Sequence, residues 1–163
     1  MSRRSSDKPA KRSAYEQAVG LLARREHSAR ELKTKLRSTG RTGDEAEQAI
    51  GRLQEQRYQD DERFAASLAR RRAAQGYGPL RIQAELKSHG LGDAAIRAAI
   101  AVAAVDWAAS AAAQLRRHAG SARSADAAER AKRAAFLLRR GFDAATVRAV
   151  TRAEPGDPDL GLD

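Results

Sequence analysis

The chain has 163 residues, 31 Lys+Arg against 21 Asp+Glu and a formal net charge of +10, an excess that points to a polyanionic or acidic partner. The absence of cysteine excludes disulfide frameworks, thiol redox chemistry and cysteine metal sites. No apolar run approaches the ~18 residues of a membrane span and the first residues lack the apolar middle of a secretory signal, so a soluble cytoplasmic protein is expected.

In chain order, residues 1–12 are basic and polar and read as a disordered arm. Apolar positions then keep helical spacing throughout: Tyr15, Ala18, Val19 and Leu22, later Ala46, Ala49, Ile50 and Leu53, later still Ile96, Ala99, Ile100 and Ala103, each at i, i+3, i+4, i+7. No stretch alternates with period two for long enough to make a strand. The first three helices are predicted near 14–25, 29–39 and 44–57. Ser28 with Glu31 forms a capping box that starts the second, and Thr42 with Glu45, or Asp44 alone, starts the third. The next three are predicted near 61–75, 80–89 and 93–104, with N-cap candidates at Asp60-Asp61 and Asp93 and with Pro79 at a first helical position after Gly78. The last three are predicted near 107–119, 127–140 and 144–152, started by Asp126 with Glu129 and by Asp143. Gly40, Gly90 and Gly141 stand where a helix must leave through a left-handed residue. The segment 154–163, with Pro155, Gly156, Pro158 and Gly161, reads as a disordered tail.

These helices repeat in threes. Arg24-Arg25, Arg70-Arg71 and Arg116-Arg117 recur at an interval of 46 residues, and Leu36/Gly40, Leu86/Gly90 and Leu137/Gly141 at intervals of 50 and 51. A period in this range marks a tandem helical array in which stacking completes each core. The expected fold is all-α, a monomeric, elongated and curved rod of three three-helix repeats at 13–58, 59–105 and 106–153. Small, alanine-rich modules imply modest stability and some freedom between repeats.

Charge is unevenly spread. Residues 1–37 hold eleven Lys/Arg against four Asp/Glu, 106–154 hold ten against five, and 38–105 hold ten against nine. The Arg clusters at 24–25, 70–72 and 116–117 are each expected to end the first helix of a repeat. Cations there complement the negative end of the helix dipole. Equal steps in sequence also suit a track of partner-binding side chains, which Arg139-Arg140 and Lys132-Arg133 extend. Lys33, Lys35 and Arg37 form either a solvated face or part of that track.

Other chemistry is poorly supported. Asp60 and Asp61 lack the apolar pocket and second shell that would separate the pKa values of a catalytic pair, so they read as caps. His27, His89 and His118 have no ligand spacing. Phe64, Phe136, Phe142 and Trp107 read as core or as contacts between repeats. There is no phosphate loop of the Gly-x-x-x-x-Gly-Lys-Ser/Thr type. The three-helix unit is similar to helix-turn-helix modules, but a chain with no Asn and three unlike repeats does not suit base-specific readout. No catalytic residue, metal, cofactor or small-molecule substrate is expected.

The segment Leu22-Ala23-Arg24-Arg25-Glu26-His27-Ser28-x-x-Glu31-Leu32-x-x-Lys35-Leu36 resembles the opening signature of the RecX family. Tyr58-x-Asp60-Asp61-x-x-Phe64-Ala65, the Arg cluster after it, Ile82-x-x-Glu85-Leu86 and Gly90 are similar to its central motif. Phe136-Leu137-x-Arg139-Arg140-Gly141-Phe142 resembles its closing motif. Together they cover about 14–152 in order. Arg57 and Gln59 stand where the family often has a small and an apolar residue, and Leu21 where an aromatic is common; these departures concern packing. The resemblance implies an array of three-helix repeats that binds RecA filaments on DNA and restrains their growth and activities. The alternative that charge alone supports is an autonomous, non-specific DNA- or RNA-binding protein.

Overall fold

The computed structural model describes residues 11–119 and 126–152. Most of the predicted arm and all of the predicted tail lie outside these. Lys11 and Arg12 do not, and Arg12 is held: its carbonyl accepts from Gln17 Nε2 at 3.1 Å and from the Arg41 guanidinium.

Among the described residues there are nine helices and no strand. The first three are α1 (Ala14–Leu22), α2 (Ala29–Ser38) and α3 (Gly43–Glu55). The next are α4 (Asp61–Ala74), α5 (Pro79–Ser88) and α6 (Asp93–Ala103), followed by α7 (Trp107–Ala119), α8 (Ala127–Arg139) and α9 (Ala144–Arg152). The fold is all-α, built of three three-helix modules. Boundaries fall within about two residues of the helical periodicity except at the end of α1, which stops at Leu22, three residues short of expectation. There the Arg24 N–H turns to Leu21 O, and the chain leaves the helix in time to bury His27 and begin α2 at Ser28.

Caps explain most of the starts. Thr42 with Glu45 makes the full reciprocal box, and Ser13 with Glu16 makes another that the sequence reading passed over. Asp126 accepts the Glu129 N–H, Asp143 the Thr146 N–H, and Asp106 the Ala109 N–H, each at 2.8–2.9 Å. Pro79 follows an N-cap at Gly78 as predicted, whereas Asp93 proves to be the first helical residue, with Gly92 as its N-cap. Asp61 is also more than a local cap. Its carboxylate accepts the Ala29 N–H at 2.9 Å, closing the start of α2 across 32 residues. Gly40, Gly90 and Gly141 take φ values of +85°, +85° and +88°, the left-handed exit that a Cβ would strain. Arg57 and Ala104 make the same exit at +58° and +50° without glycine, which is why no sequence signal marked them.

Packing divides the chain into two compact units, Met1–Asp61 and Glu62–Asp163. In the first, Leu32, Leu36, Ile50 and Leu53 are buried with Ala14, Ala18, Ala46 and Ala49. The alanines let the helices approach closely, while the four larger side chains contribute about 1.5–3 kcal/mol each by leaving water.

The second unit contains two cores. Phe64, Leu68, Ile82, Leu86, Leu91 and Ile96 form one, and Leu115, Leu137, Phe142 and Val147 form the other; Trp107 packs on both. These two modules are fastened directly. The Gly78 N–H donates to Arg140 O at 2.8 Å and the Leu80 N–H to Gly141 O at 2.9 Å. The Arg140 guanidinium donates back to Gly76 O at 2.9 Å and Gln75 O at 2.8 Å, and Tyr77 lies beneath both Arg81 and Arg140. A Cβ on Gly78 would overlap the Gly141 carbonyl and the Phe142 nitrogen, so only glycine permits this approach. Main-chain hydrogen bonds thus join these two modules in addition to the apolar contact at Trp107.

Candidate functional site

The expected track consists of Arg side chains, and each has to be asked what it already holds. In the first unit Arg25 is spoken for: its guanidinium grips the Glu31 carboxylate and donates to Glu26 O. Lys35 stands 3.9 Å from the same carboxylate, and Lys33 pairs with Glu47. Arg24 is exposed, with no side-chain hydrogen bond or ion pair among the described residues, and it lies beyond α1 rather than on its last turn.

In the second unit Arg71 and Arg72 occupy the last turn of α4, and Arg116 and Arg117 that of α7, where they complement the helix dipole. Arg72 forms a bidentate pair with Glu85 at 2.8 and 2.6 Å and also reaches Gln75. Its hydrogen bond, with Arg71 close by, holds the Glu85 pKa below its ordinary value despite partial burial. Arg140 is consumed by the junction. Arg133 is buried and pairs with Glu129 at 3.4 Å. What remains is Arg70, Arg116, Arg117 and Arg139: exposed, with no side-chain hydrogen bond or ion pair among the described residues. Arg72, Arg133 and Arg140 thus act inside the molecule, while Arg70, Arg116, Arg117 and Arg139 face solvent.

The signature residues sort in the same way. Leu32, Leu36, Phe64, Leu86, Leu137 and Phe142 are fully buried. Phe136 is half-buried and stacks on His118 at 3.9 Å. Tyr58 is 58% exposed, and its backbone N–H closes the end of α3 on Leu53 O.

Beside it sits a buried polar knot. Gln59, 2% exposed, donates to His27 O at 3.2 Å and to Asp61 at 2.9 Å and accepts from Gln54. Gln59 stands where an apolar residue was expected; its amide is instead what satisfies this corner. Ser28 Oγ accepts the Glu31 N–H. Burial works against ionisation of the Glu31 carboxylate, yet the hydrogen bond from Arg25 and the nearby Lys35 hold its pKa low. His27 is 3% exposed, with Nδ1 2.9 Å from Arg25 O.

Burial pushes the His27 pKa below its ordinary 6.5, outweighing the opposite pull of Arg25 O and Glu31. The neutral ring is the folded form, so its stabilisation is complete above about pH 6.5 and is lost as pH falls below that. Melting temperature is expected to drop between pH 7 and pH 5.5 in the wild type and to drop less in His27→Gln. Equal slopes in the two proteins would remove His27 from that role.

Among the described residues no group of three or more His, Asp or Glu could hold a metal, and no single helix is long and apolar enough to cross a membrane. The molecule is a tandem three-helix repeat protein with a cationic surface.

Residues 14–53, 60–100 and 105–151 match in turn the descriptions "RecX, first three-helix domain", "RecX, second three-helix domain" and "RecX, third three-helix domain". The chain belongs to the RecX family. It is 47% identical over 140 residues to the "Regulatory protein RecX" of Xanthomonas oryzae pv. oryzae (strain MAFF 311018), covering 86% of this chain and 88% of that one. To the protein of the same name from Stenotrophomonas maltophilia (strain K279a) it is 44% identical over 150 residues, covering 92% of each. The crystal structure of RecX from Lactobacillus salivarius superposes with a TM-score of 0.70 at 21% identity, covering 85% of this chain and 92% of that one, a likeness of fold. The Xanthomonas and Stenotrophomonas relatives are named as regulatory proteins.

Proposed function

We propose that this protein binds RecA and RecA–DNA filaments and restrains filament growth, ATP hydrolysis and strand exchange, as a non-enzymatic regulator in recombination and DNA repair. The observation that supports this most is family membership along the whole array: all three modules match, in order, over residues 14–151. A chain read this way engages its partner along its length. The exposed, uncommitted arginines Arg24, Arg70, Arg116, Arg117 and Arg139 supply the contacts, to phosphate or to acidic protein surface, and the buried ones set the shape that presents them.

Added in small amount relative to RecA, the protein is expected to slow filament extension and lower DNA-dependent ATP hydrolysis. Unchanged extension and hydrolysis at equimolar protein would refute the proposal. The net charge of +10 supports a second reading, an autonomous non-specific nucleic-acid binder. Titrations of naked and RecA-coated DNA across a salt series separate the two. Preference for the coated filament supports regulation, whereas equal affinity with a steep salt slope supports simple counterion release.

A further inference from the structure

An open cleft of about 520 Å³ in the first unit is lined by Lys11, Arg41 and Arg52 together with Ser13, Tyr15 and Gln48. None of the three cations belongs to the repeated Arg clusters, and no spacing in the sequence links them. Packing of α1 on α3 brings them together, held where the Tyr15 hydroxyl donates to Gln56 Oε1 at 2.6 Å.

Each cation is only partly satisfied among the described residues. Arg41 follows the left-handed Gly40 and is pinned through Nη2 to Arg12 O, yet its buried Nε has no hydrogen-bond partner among the described residues. Arg52 lies over the Tyr15 ring at 4.2 Å, which orients the guanidinium without neutralising it. Lys11 Nζ stands over Gly40. The one carboxylate on the wall, Glu45, is engaged elsewhere: its Oε2 accepts the Thr42 N–H at 2.8 Å, and its other oxygen lies 3.7 Å from Arg41. The lining therefore carries three positive charges against one negative charge that is already tied to a helix start.

We propose that this cleft is a phosphodiester-binding site that seats the backbone of a single-stranded nucleic acid. Several cations from separate segments of the chain suit a tetrahedral anion with several acceptor oxygens; a carboxylate is better met by one bidentate arginine. Because the cleft is open, a chain can pass through it. Arg52 covers the Tyr15 face, so no ring is free to stack on a base, and binding here reads backbone and not sequence. The site does not depend on the RecA reading, since it is assayed without RecA.

The test is fluorescence anisotropy of a labelled oligothymidylate with the full chain across a sodium chloride series. In Lys11→Gln/Arg41→Gln/Arg52→Gln the log-affinity versus log-salt slope is expected to flatten by about 2, from ~0.7 per lost contact on a single strand, with at least a tenfold loss of affinity at low salt. Arg52→Gln alone keeps every hydrogen bond at Arg41, so it separates binding from folding; it is expected to flatten the slope by about 0.7 while the melting midpoint falls by only a few degrees, for the lost Tyr15 contact and helix-dipole contribution. Unchanged slope and affinity in both variants would overturn the site. So would polyglutamate displacing the oligonucleotide from wild type at lower charge concentration than polyphosphate does, because the cleft would then prefer acidic protein. RecA hydrolysis assays on Arg52→Gln report on the regulatory reading separately.

Discussion

Gly78→Ala is expected to lower the melting temperature of the second unit by at least about 20 °C. The added carbon would overlap the Gly141 carbonyl and the Phe142 nitrogen. Main-chain atoms cannot turn aside as a flexible side chain can, so the two modules must separate locally. Separation breaks the Gly78–Arg140 and Leu80–Gly141 main-chain bonds and strips Arg140 from Gly76 O and Gln75 O. Overpacking costs about 1–3 kcal/mol and each lost hydrogen bond about 1 kcal/mol. For a unit of this size each kcal/mol shifts the midpoint by roughly 4–8 °C. Thermal melts followed by circular dichroism at 222 nm check the value. Arg140→Ala is expected to fall in the same direction with a smaller loss. If Gly78→Ala melts within a few degrees of wild type, the junction is not holding the modules together.

Replacing Arg70, Arg116 and Arg117 together with Ala is expected to cut filament or DNA binding at least tenfold while leaving the fold nearly intact. All three are exposed and hold no side-chain hydrogen bond or ion pair among the described residues, so folding is expected to lose only the helix-dipole contribution, about 0.3–1 kcal/mol per charge. If the three meet phosphate, the log-affinity versus log-salt slope on duplex DNA should flatten by nearly 3, at ~0.9 per contact. If they meet acidic protein, filament binding falls and the slope on naked DNA stays put. Arg72→Ala is the contrast. It leaves Glu85 without its bidentate partner at a half-buried position, so a stability loss of about 1–2 kcal/mol is expected with little effect on binding. That loss should shrink as pH falls through the depressed Glu85 pKa, because a protonated Glu85 no longer needs the arginine. Normal binding by the Arg70/Arg116/Arg117 variant, with a much lower melting temperature, would make these residues helix caps and nothing more.

The helices and their starts were legible because their causes are local. Periodicity at i, i+3, i+4 shows which face is buried, and a capping box involves two residues three apart. Glycines that leave a helix through the left-handed region are recognisable by type, so Gly40, Gly90 and Gly141 were read correctly while Arg57 and Ala104 were not. The family, too, could be read in order along the chain from motifs whose apolar residues are mostly buried.

The state of each charge could not be read this way. Arg70 and Arg72 are two residues apart and look alike in sequence, yet one faces solvent and the other is locked to Glu85 across 13 residues. Arg139 and Arg140 are adjacent, yet only the second closes a junction with residues 64 and 65 positions away. Gln59 looked like a packing substitution and is a buried bridge; Asp61 looked like the cap of its own helix and closes another 32 residues back. Helix formation depends on neighbours within one turn, so the sequence alone determined it. Whether a cation is free or spent depends on which carboxylate or carbonyl the packed chain brings within 3 Å, and only the tertiary structure decided that.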